Sequence, residues 1–192
     1  MPSADEGWKG RVLICNSETT GLCILTREDV PTIWKIVSDR DVNRYLNARW
    51  RPYYLENEYE WYDSLTKRSD SERAFGILYR GDSSIKGVMF LIDLNFKNRS
   101  SHVGYFLEKQ YWNKGIATEA LKLIRDYSFE EMNLRKLYTS VFEPNKASIR
   151  VLEKCGFKGT GRFHSHVYVP KEGFVDELFF ESFNENLSEK EG

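Results

Sequence analysis

Tyr105-Phe-Leu-Glu-Lys-Gln-Tyr-Trp-Asn-Lys-Gly-Ile-Ala-Thr-Glu119 is the stretch on which the reading of the chain turns. Its apolar opening, Tyr105, Phe106 and Leu107, gives way to a polar loop with a single glycine, Gly115. Ala117, Ala120, Leu121, Ile124 and Tyr127 then recur at helical spacing. A strand, a tight loop and a helix start present backbone N–H groups to an anion. The first-turn amides of a helix have no internal partner, and the helix dipole adds partial positive charge there. Gly115 lets the backbone approach a phosphate closely, and Ala117 is nearly as small. Thr118 adds a hydroxyl and Lys114 a charge. An ordinary strand-to-helix connection also carries one glycine, so the anion reading needs support from elsewhere in the chain.

That support lies downstream, in Asn145-Lys-Ala-Ser-Ile-Arg-Val-Leu-Glu-Lys-Cys-Gly-Phe157. Pro144-Asn145 starts a helix with Asn145 as N-cap, and Gly156 ends it with Phe157 set to contact Leu152. Between the two stretches, Lys136 to Phe142 alternates as a strand. The crossover helix, 116–131, makes it parallel to the strand Ser100 to Leu107. Upstream, Arg73 to Tyr79, Ile85 to Leu94 and Ser100 to Leu107 read as antiparallel strands, with turns at Gly81-Asp82 and Asn98.

Nearer the N-terminus, Arg11 to Cys15 and Gly21 to Leu25 form a hairpin, or one strand with an extra leading strand. Thr26 caps a helix, with Asp29 completing a box-like pattern and Ile33, Trp34, Ile36 and Val37 on its apolar side. A short helical stretch runs from Asp41 through Tyr45 and Leu46, and a longer helix from Leu55 to Lys67. Between them Pro52 forbids a regular helix, and Trp50, Tyr53 and Tyr54 make an aromatic loop. That loop is a candidate wall for a second substrate, or core filler. Lys158 to Pro170 and Phe174 to Phe183 close the chain as a hairpin. The expected architecture is α/β: a mixed, mostly antiparallel sheet with a central parallel pair and flanking helices.

At 192 residues the chain has the length of a single domain, 1–192, with 1–10 and 184–192 expected as flexible tails. A net charge of −1 and a pI near 6.3 argue against nucleic acid or an anionic membrane as general partners. Cys15, Cys23 and Cys155 are too few and too scattered for a disulfide framework or a zinc site. His164-x-His166 reads as a solvent-side pair rather than metal ligands, and no metal is expected. No apolar run approaches a membrane span, and the N-terminus is too polar for a signal peptide, so the expectation is a cytoplasmic protein, monomer or homodimer.

Together the two quoted stretches resemble the GNAT superfamily of N-acetyltransferases, and within it the RimJ/RimL-like branch. The superfamily's pyrophosphate loop, (Arg/Gln)-x-x-Gly-x-(Gly/Ala), falls on Trp112-Asn113-Lys114-Gly115-Ile116-Ala117, with tryptophan at its first position. The resemblance runs roughly from Gly21 to Phe180. It implies that the two parallel strands splay apart around acetyl-CoA. It implies that Tyr105, Phe106 and Leu107 pair with the pantetheine arm like an added strand, and that the amides from Asn113 to Thr118 hold the pyrophosphate. Asn145 and Ser148 are then further cofactor contacts.

Many members place a tyrosine seven residues after the motif asparagine to protonate the departing thiolate. Here that position is Leu152, and Ser148 is the substitute donor the resemblance implies. The positions where the superfamily often places a basic glutamate carry Ser101 and Ser140. Glu108, and after it Glu143, are the remaining carboxylates near the expected cleft.

The acceptor is therefore expected to be an amine that needs little help. An α-amine has a pKa of about 7.7–8.0 against about 10.4 for lysine, a difference worth about 3.4 kcal/mol. A protein N-terminus is the leading acceptor. The rival is a small molecule, a polyamine, aminosugar or antibiotic, and acidic residues facing the cleft would favour the polyamine. A non-catalytic acyl-CoA-binding protein is the rival of another class.

Overall fold

The computed structural model describes residue 8 and residues 10–46, 54–68 and 70–185. Eight strands form one sheet: β1 (Leu13–Asn16), β2 (Thr20–Ile24), β3 (Glu72–Tyr79), β4 (Gly87–Asn95), β5 (Ser100–Leu107), β6 (Lys136–Phe142), β7 (Lys158–Val169) and β8 (Gly173–Phe183). Their order is β1-β2-β3-β4-β5-β6-β8-β7. Every neighbouring pair is antiparallel except β5 and β6. The helices are α1 (Val30–Ser38), α2 (Arg40–Asn43), α3 (Leu55–Leu65), α4 (Ile116–Glu130) and α5 (Lys146–Lys154). Of the two N-terminal alternatives, the hairpin is the one formed, with Leu13 opposite Cys23 and Asn16 opposite Gly21.

Strand alternation sends side chains to two separate cores. Leu22, Ile77, Met89, Leu91, Val103, Leu137 and Val141 meet α4 through Ile116, Ala120, Leu121 and Ile124, and α5 through Leu152. Cys23, Leu78, Val88 and Phe106 meet α1 through Ile33, Ile36 and Val37 on the opposite face. The sheet is thus covered on both sides, α4 and α5 on one and α1 to α3 on the other.

The parallel pair is short. Only Ser100 with Lys136, Ser101 with Leu137 and His102 with Tyr138 are in register, and beyond them the two strands part. The splayed pair expected from the sequence is therefore present, and its opening begins at His102.

Local chemistry sets the ends of the elements. The helix expected from Thr26 opens as a 3-10 turn, Arg27–Asp29, before α1. The Asp29 carboxylate accepts from the Thr26 N–H at 2.8 Å and from both Arg11 terminal nitrogens at 2.9 and 2.6 Å, tying the strand start to the helix start. At the end of α5, Gly156 is left-handed at φ 81. Phe157 N–H donates to Leu152 O at 3.0 Å and Gly156 N–H to Glu153 O at 3.1 Å, the paired bonds of a Schellman stop. Trp8 is buried over Gly21, where a Cβ would meet its ring at 3.1 Å. Asn184, grouped with the tail by its polarity, is instead buried: its N–H donates to Arg135 O and its amide reaches Phe129 O and Leu134 O. Residues 186–192 lie outside the described residues. Among the described residues no helix is long and apolar enough to cross a membrane.

Candidate active site

A cleft of about 980 Å³ fills the opening between β5 and β6 and runs to both sides of the sheet. That is near the upper end of the volumes that hold small ligands. One half is built from the end of β5, the loop into α4, and α5. The other is built from α1 to α3 and the α1-side faces of β3, β4 and β5.

The first half is mostly backbone. Trp112 Nε1–H donates to Leu107 O at 2.8 Å and fixes the path of the loop as it leaves the strand. Asn113 and Gly115 both take left-handed backbone, φ 59 and 82. Such a sequence of turns orients successive N–H groups toward one point. The first bond within α4 is Glu119 N–H to Gly115 O at 3.0 Å, so the amides of Ile116, Ala117 and Thr118 precede it. A Cβ at Gly115 would meet nothing within 4 Å. The glycine is thus required by its φ and leaves open space in front of the helix. This is the cradle a pyrophosphate needs, and in that respect the residues fit the cofactor.

Glu119 would oppose an anion if it faced the loop. It is turned away, its carboxylate accepting from the Ser17 and Thr19 hydroxyls, each at 2.7 Å. Burial alone would raise its pKa, but these hydroxyls and that of Thr20 hold it below the ordinary value. On α5, Lys146, Arg150 and Lys154 line the cleft at four-residue spacing, which is one helix face.

The cofactor residues expected from the sequence are brought together here. Tyr105, Phe106, Leu107, Asn113, Gly115, Ile116, Ala117, Thr118, Asn145 and Ser148 all line the cleft. Lys114 does not. It is exposed, with its ammonium 5.0 Å from the Tyr111 ring centre. Asn145 Oδ1 accepts from Ser148 N–H at 3.1 Å, capping α5 and fixing the serine. The Ser148 hydroxyl shares a 3.0 Å hydrogen bond with the Tyr105 hydroxyl. Burial pushes Tyr105 up to about 12, against the lowering effect of that bond, so the phenol keeps its proton at neutral pH. Leu152 is buried and also lines the cleft.

The second half is made of side chains. Registers place Glu72 opposite Ile92, Ile92 opposite His102 and His102 opposite Tyr138, a row across four strands on the α1 side of the sheet. The His102 ring lies 5.6 Å from that of Tyr138, edge to face. Burial pulls the imidazole below its ordinary value, while Asp93 and Glu177 pull the other way. Asp41, Glu58 and Glu72 line this half together with Tyr45, Trp61 and Phe90, and none of its described lining residues is a lysine or arginine. Glu58 and Glu72 are buried; Glu72 pairs with Arg68 at 2.7 Å, and Asp41 pairs with Lys109 at the rim.

Several expected positions fall elsewhere. Ser101 points to the α4 side, fully buried, its Oγ 2.8 Å from Ile92 O. Ser140 lines the cleft. Glu108 and Glu143 are not among its described lining residues; Glu108 accepts from Gln110 at 2.6 Å, and Glu143 lies near Lys146 and Arg162. Tyr54 is 68% exposed and away from the cleft, while Trp50 and Tyr53 lie outside the described residues. The sequence reading missed His102 and the three carboxylates. A period of two along β5 signals that Ser101 and His102 face opposite ways, but not which one faces the cleft.

Residues 22–158 match the acetyltransferase (GNAT) domain. The chain is 36% identical over 111 residues to the probable N-acetyltransferase YjcK of Bacillus subtilis, covering 57% of this chain and 60% of that protein, under two thirds of its length. It is 29% identical over 151 residues to the spermidine N(1)-acetyltransferase of Escherichia coli (strain K12), covering 76% of each. Among solved structures, Vibrio cholerae spermidine N-acetyltransferase with CoA and spermine superposes with a TM-score of 0.79 at 23% identity, over 87% of this chain and 96% of that one. RimL, a ribosomal alpha-N-protein acetyltransferase in complex with coenzyme A, gives 0.79 at 17% identity, over 89% and 97%. These two likenesses show the fold alone.

Proposed function

Because this chain belongs to the GNAT acetyltransferase family, we propose that it transfers the acetyl group of acetyl-CoA to a primary amine of a multiply charged, polyamine-type acceptor. The observation that carries the acceptor class is the charge division of the cleft. Lys146, Arg150 and Lys154 line the half that suits phosphates, and Asp41, Glu58 and Glu72 line the half opposite. Trp61, Phe90 and Tyr45 stand among those carboxylates, apolar surface for methylene segments between ammonium groups. Spermidine acetyltransferases among the sequence relatives support the same class. A protein N-terminal α-amine brings one positive charge to a half lined by three carboxylates, whereas a polyamine brings several.

Acetyl-CoA supplies an activated acetyl group as a thioester. The amides of Ile116 to Thr118 hold the pyrophosphate and Tyr105 to Leu107 align the pantetheine arm. The Ser148 hydroxyl gives a proton to the departing sulfur and regains one through the Tyr105 hydroxyl, to which it is already hydrogen-bonded and which passes on the second proton of the acceptor amine.

The test is turnover, read as free thiol, with spermidine, an aminosugar and short peptides at matched concentration. Polyamine turnover exceeding peptide turnover at pH 7 is the expected result. Preferential acetylation of peptide N-termini, seen by mass spectrometry, would move the assignment to the α-amine acceptor. CoA binding without turnover of any amine would make the chain an acyl-CoA-binding protein.

A further inference from the structure

We propose that His102 is the base that takes the proton from the attacking amine. The inference rests on the acetyl-transfer reading above and puts a base in the cleft where Glu108 and Glu143, the candidates from the sequence, are not among its described lining residues.

Four observations place it. His102 is the last residue of β5 still in register with β6, so its side chain stands at the point where the cleft opens. It faces the acceptor half, in one row with Glu72 and Ile92, whereas Ser101 is turned into the core on the other side. The next residue on its face is Gly104, which also lines the cleft, and among the described residues a Cβ there would meet only the imidazole Cε1, at 3.9 Å. The space beside the ring is therefore open to a reacting group. Neither ring nitrogen has a hydrogen-bond partner among the described residues.

The chemistry follows from the half-buried position. An imidazole kept neutral by burial is ready to accept a proton at pH 7, and the charged groups that act on it are acids, Asp93 on β4 and Glu177 on β8, with the Tyr138 phenol beside it on β6. These carboxylates favour the imidazolium once formed. Glu72 itself is two strands away, about 10 Å at the usual interstrand spacing, and is engaged by Arg68. It suits a second ammonium of the acceptor rather than the reacting one. In the balanced step the acceptor ammonium gives one proton to a His102 ring nitrogen, and the freed lone pair forms the C–N bond. The C–S bond then breaks. Ser148 gives its proton to the departing sulfur and takes the second amine proton in return through the Tyr105 hydroxyl, and His102 returns its proton to water.

The experiment compares wild type with His102→Gln, using spermidine and, separately, an N-terminal peptide. At pH 7 the variant is expected to lose about 10²–10⁴-fold in kcat, with acetyl-CoA affinity by calorimetry unchanged. Wild-type kcat/KM should fall on the acid side with a pKa below the ordinary histidine value. The variant should lack that limb and gain rate as pH approaches the amine's own pKa. A His102→Gln enzyme with wild-type kcat and the wild-type acid limb overturns the inference. If the variant does not fold, NMR titration of His102 in wild type replaces it: a pKa that does not move on acceptor binding also overturns it. Peptide turnover without spermidine turnover defeats the acceptor class alone, and the His102 comparison then runs on the peptide. No turnover of any amine defeats both.

Discussion

The two halves of the cleft are made of different material. The cofactor half is built from consecutive residues and their backbone: a strand end, a left-handed glycine and the first turn of α4. The acceptor half is built from side chains that lie far apart in sequence, with Asp41, Glu58, Glu72 and His102 arriving on four different elements. A site made of amides is indifferent to most substitutions except those that fill or re-aim the backbone. A site made of side chains is altered by each of them and can change its substrate without changing its fold.

The sharpest way to break the first half is Gly115→Glu. The residue must adopt φ 82, and its carboxylate would enter the open space in front of the helix. Loss of detectable CoA binding by calorimetry is expected, with the circular dichroism spectrum nearly unchanged; unaltered affinity would remove the pyrophosphate assignment. Next in size is Ser148→Ala. A proton donor contributes about 10²–10⁴-fold, so kcat should fall by that order while the KM for acetyl-CoA holds. Tyr105→Phe should cost less than the roughly 10²-fold lower bound for losing a direct donor, because Ser148 keeps its own proton and loses only the re-supply. If only KM moves in Ser148→Ala, the serine is a cofactor contact.

The second half should respond in the other parameter. Glu72→Gln and Glu58→Gln are each expected to raise the KM for spermidine about tenfold, a charge-assisted hydrogen bond being worth about 1.5–3 kcal/mol at most. The KM for acetyl-CoA should not change, and a peptide acceptor should be affected less than spermidine. Equal effects on all substrates would mean a folding defect and would erase the contrast between the halves.

The smallest effect concerns the clasp on Glu119. Its carboxyl is held below the ordinary value of 4.5 in the folded chain, so the stabilisation is present above that pH and is lost as pH falls through the lowered folded value. Ser17→Ala with Thr19→Ala should therefore narrow the difference in denaturant midpoint between pH 6 and pH 3.5. An identical pH dependence in that double variant would assign the acid sensitivity to other carboxylates.

The same contrast explains what could be read in advance. The Gly115 loop, the Asn145 cap and the Gly156 stop depend on neighbours within a few residues, and the strand bounds of β5 and β6 were read correctly for the same reason. The acceptor half depends on register between strands separated by long connections. A one-residue slip in that register exchanges the faces of a strand. That is the difference between Ser101, where a base was sought, and His102, which faces the cleft. That the Tyr105 hydroxyl reaches Ser148 was not legible in the chain, since it depends on β5 passing alongside α5. Glu108 and Glu143 were chosen for proximity along the chain, which does not measure distance across the cleft. The aromatic loop was weighed as a wall; its Tyr54 stands in solvent, and its remaining aromatics are outside the described residues.

The three-residue seam between β5 and β6 has a mechanical consequence. Strands β1 to β5 and strands β6 to β8 are two half-sheets hinged at Ser100–His102 and Lys136–Tyr138. A pantetheine arm held along Tyr105 to Leu107, as proposed above, would act as a splint at the gap. Its amides occupy edge groups that the parted strand does not offer to its neighbour. On that reading a bound ligand couples the two half-sheets beyond their short seam. Backbone amides of β5 and β6 beyond the seam should exchange with solvent more slowly once CoA is bound, and those of the β3–β4 ladder, already paired on both sides, should not.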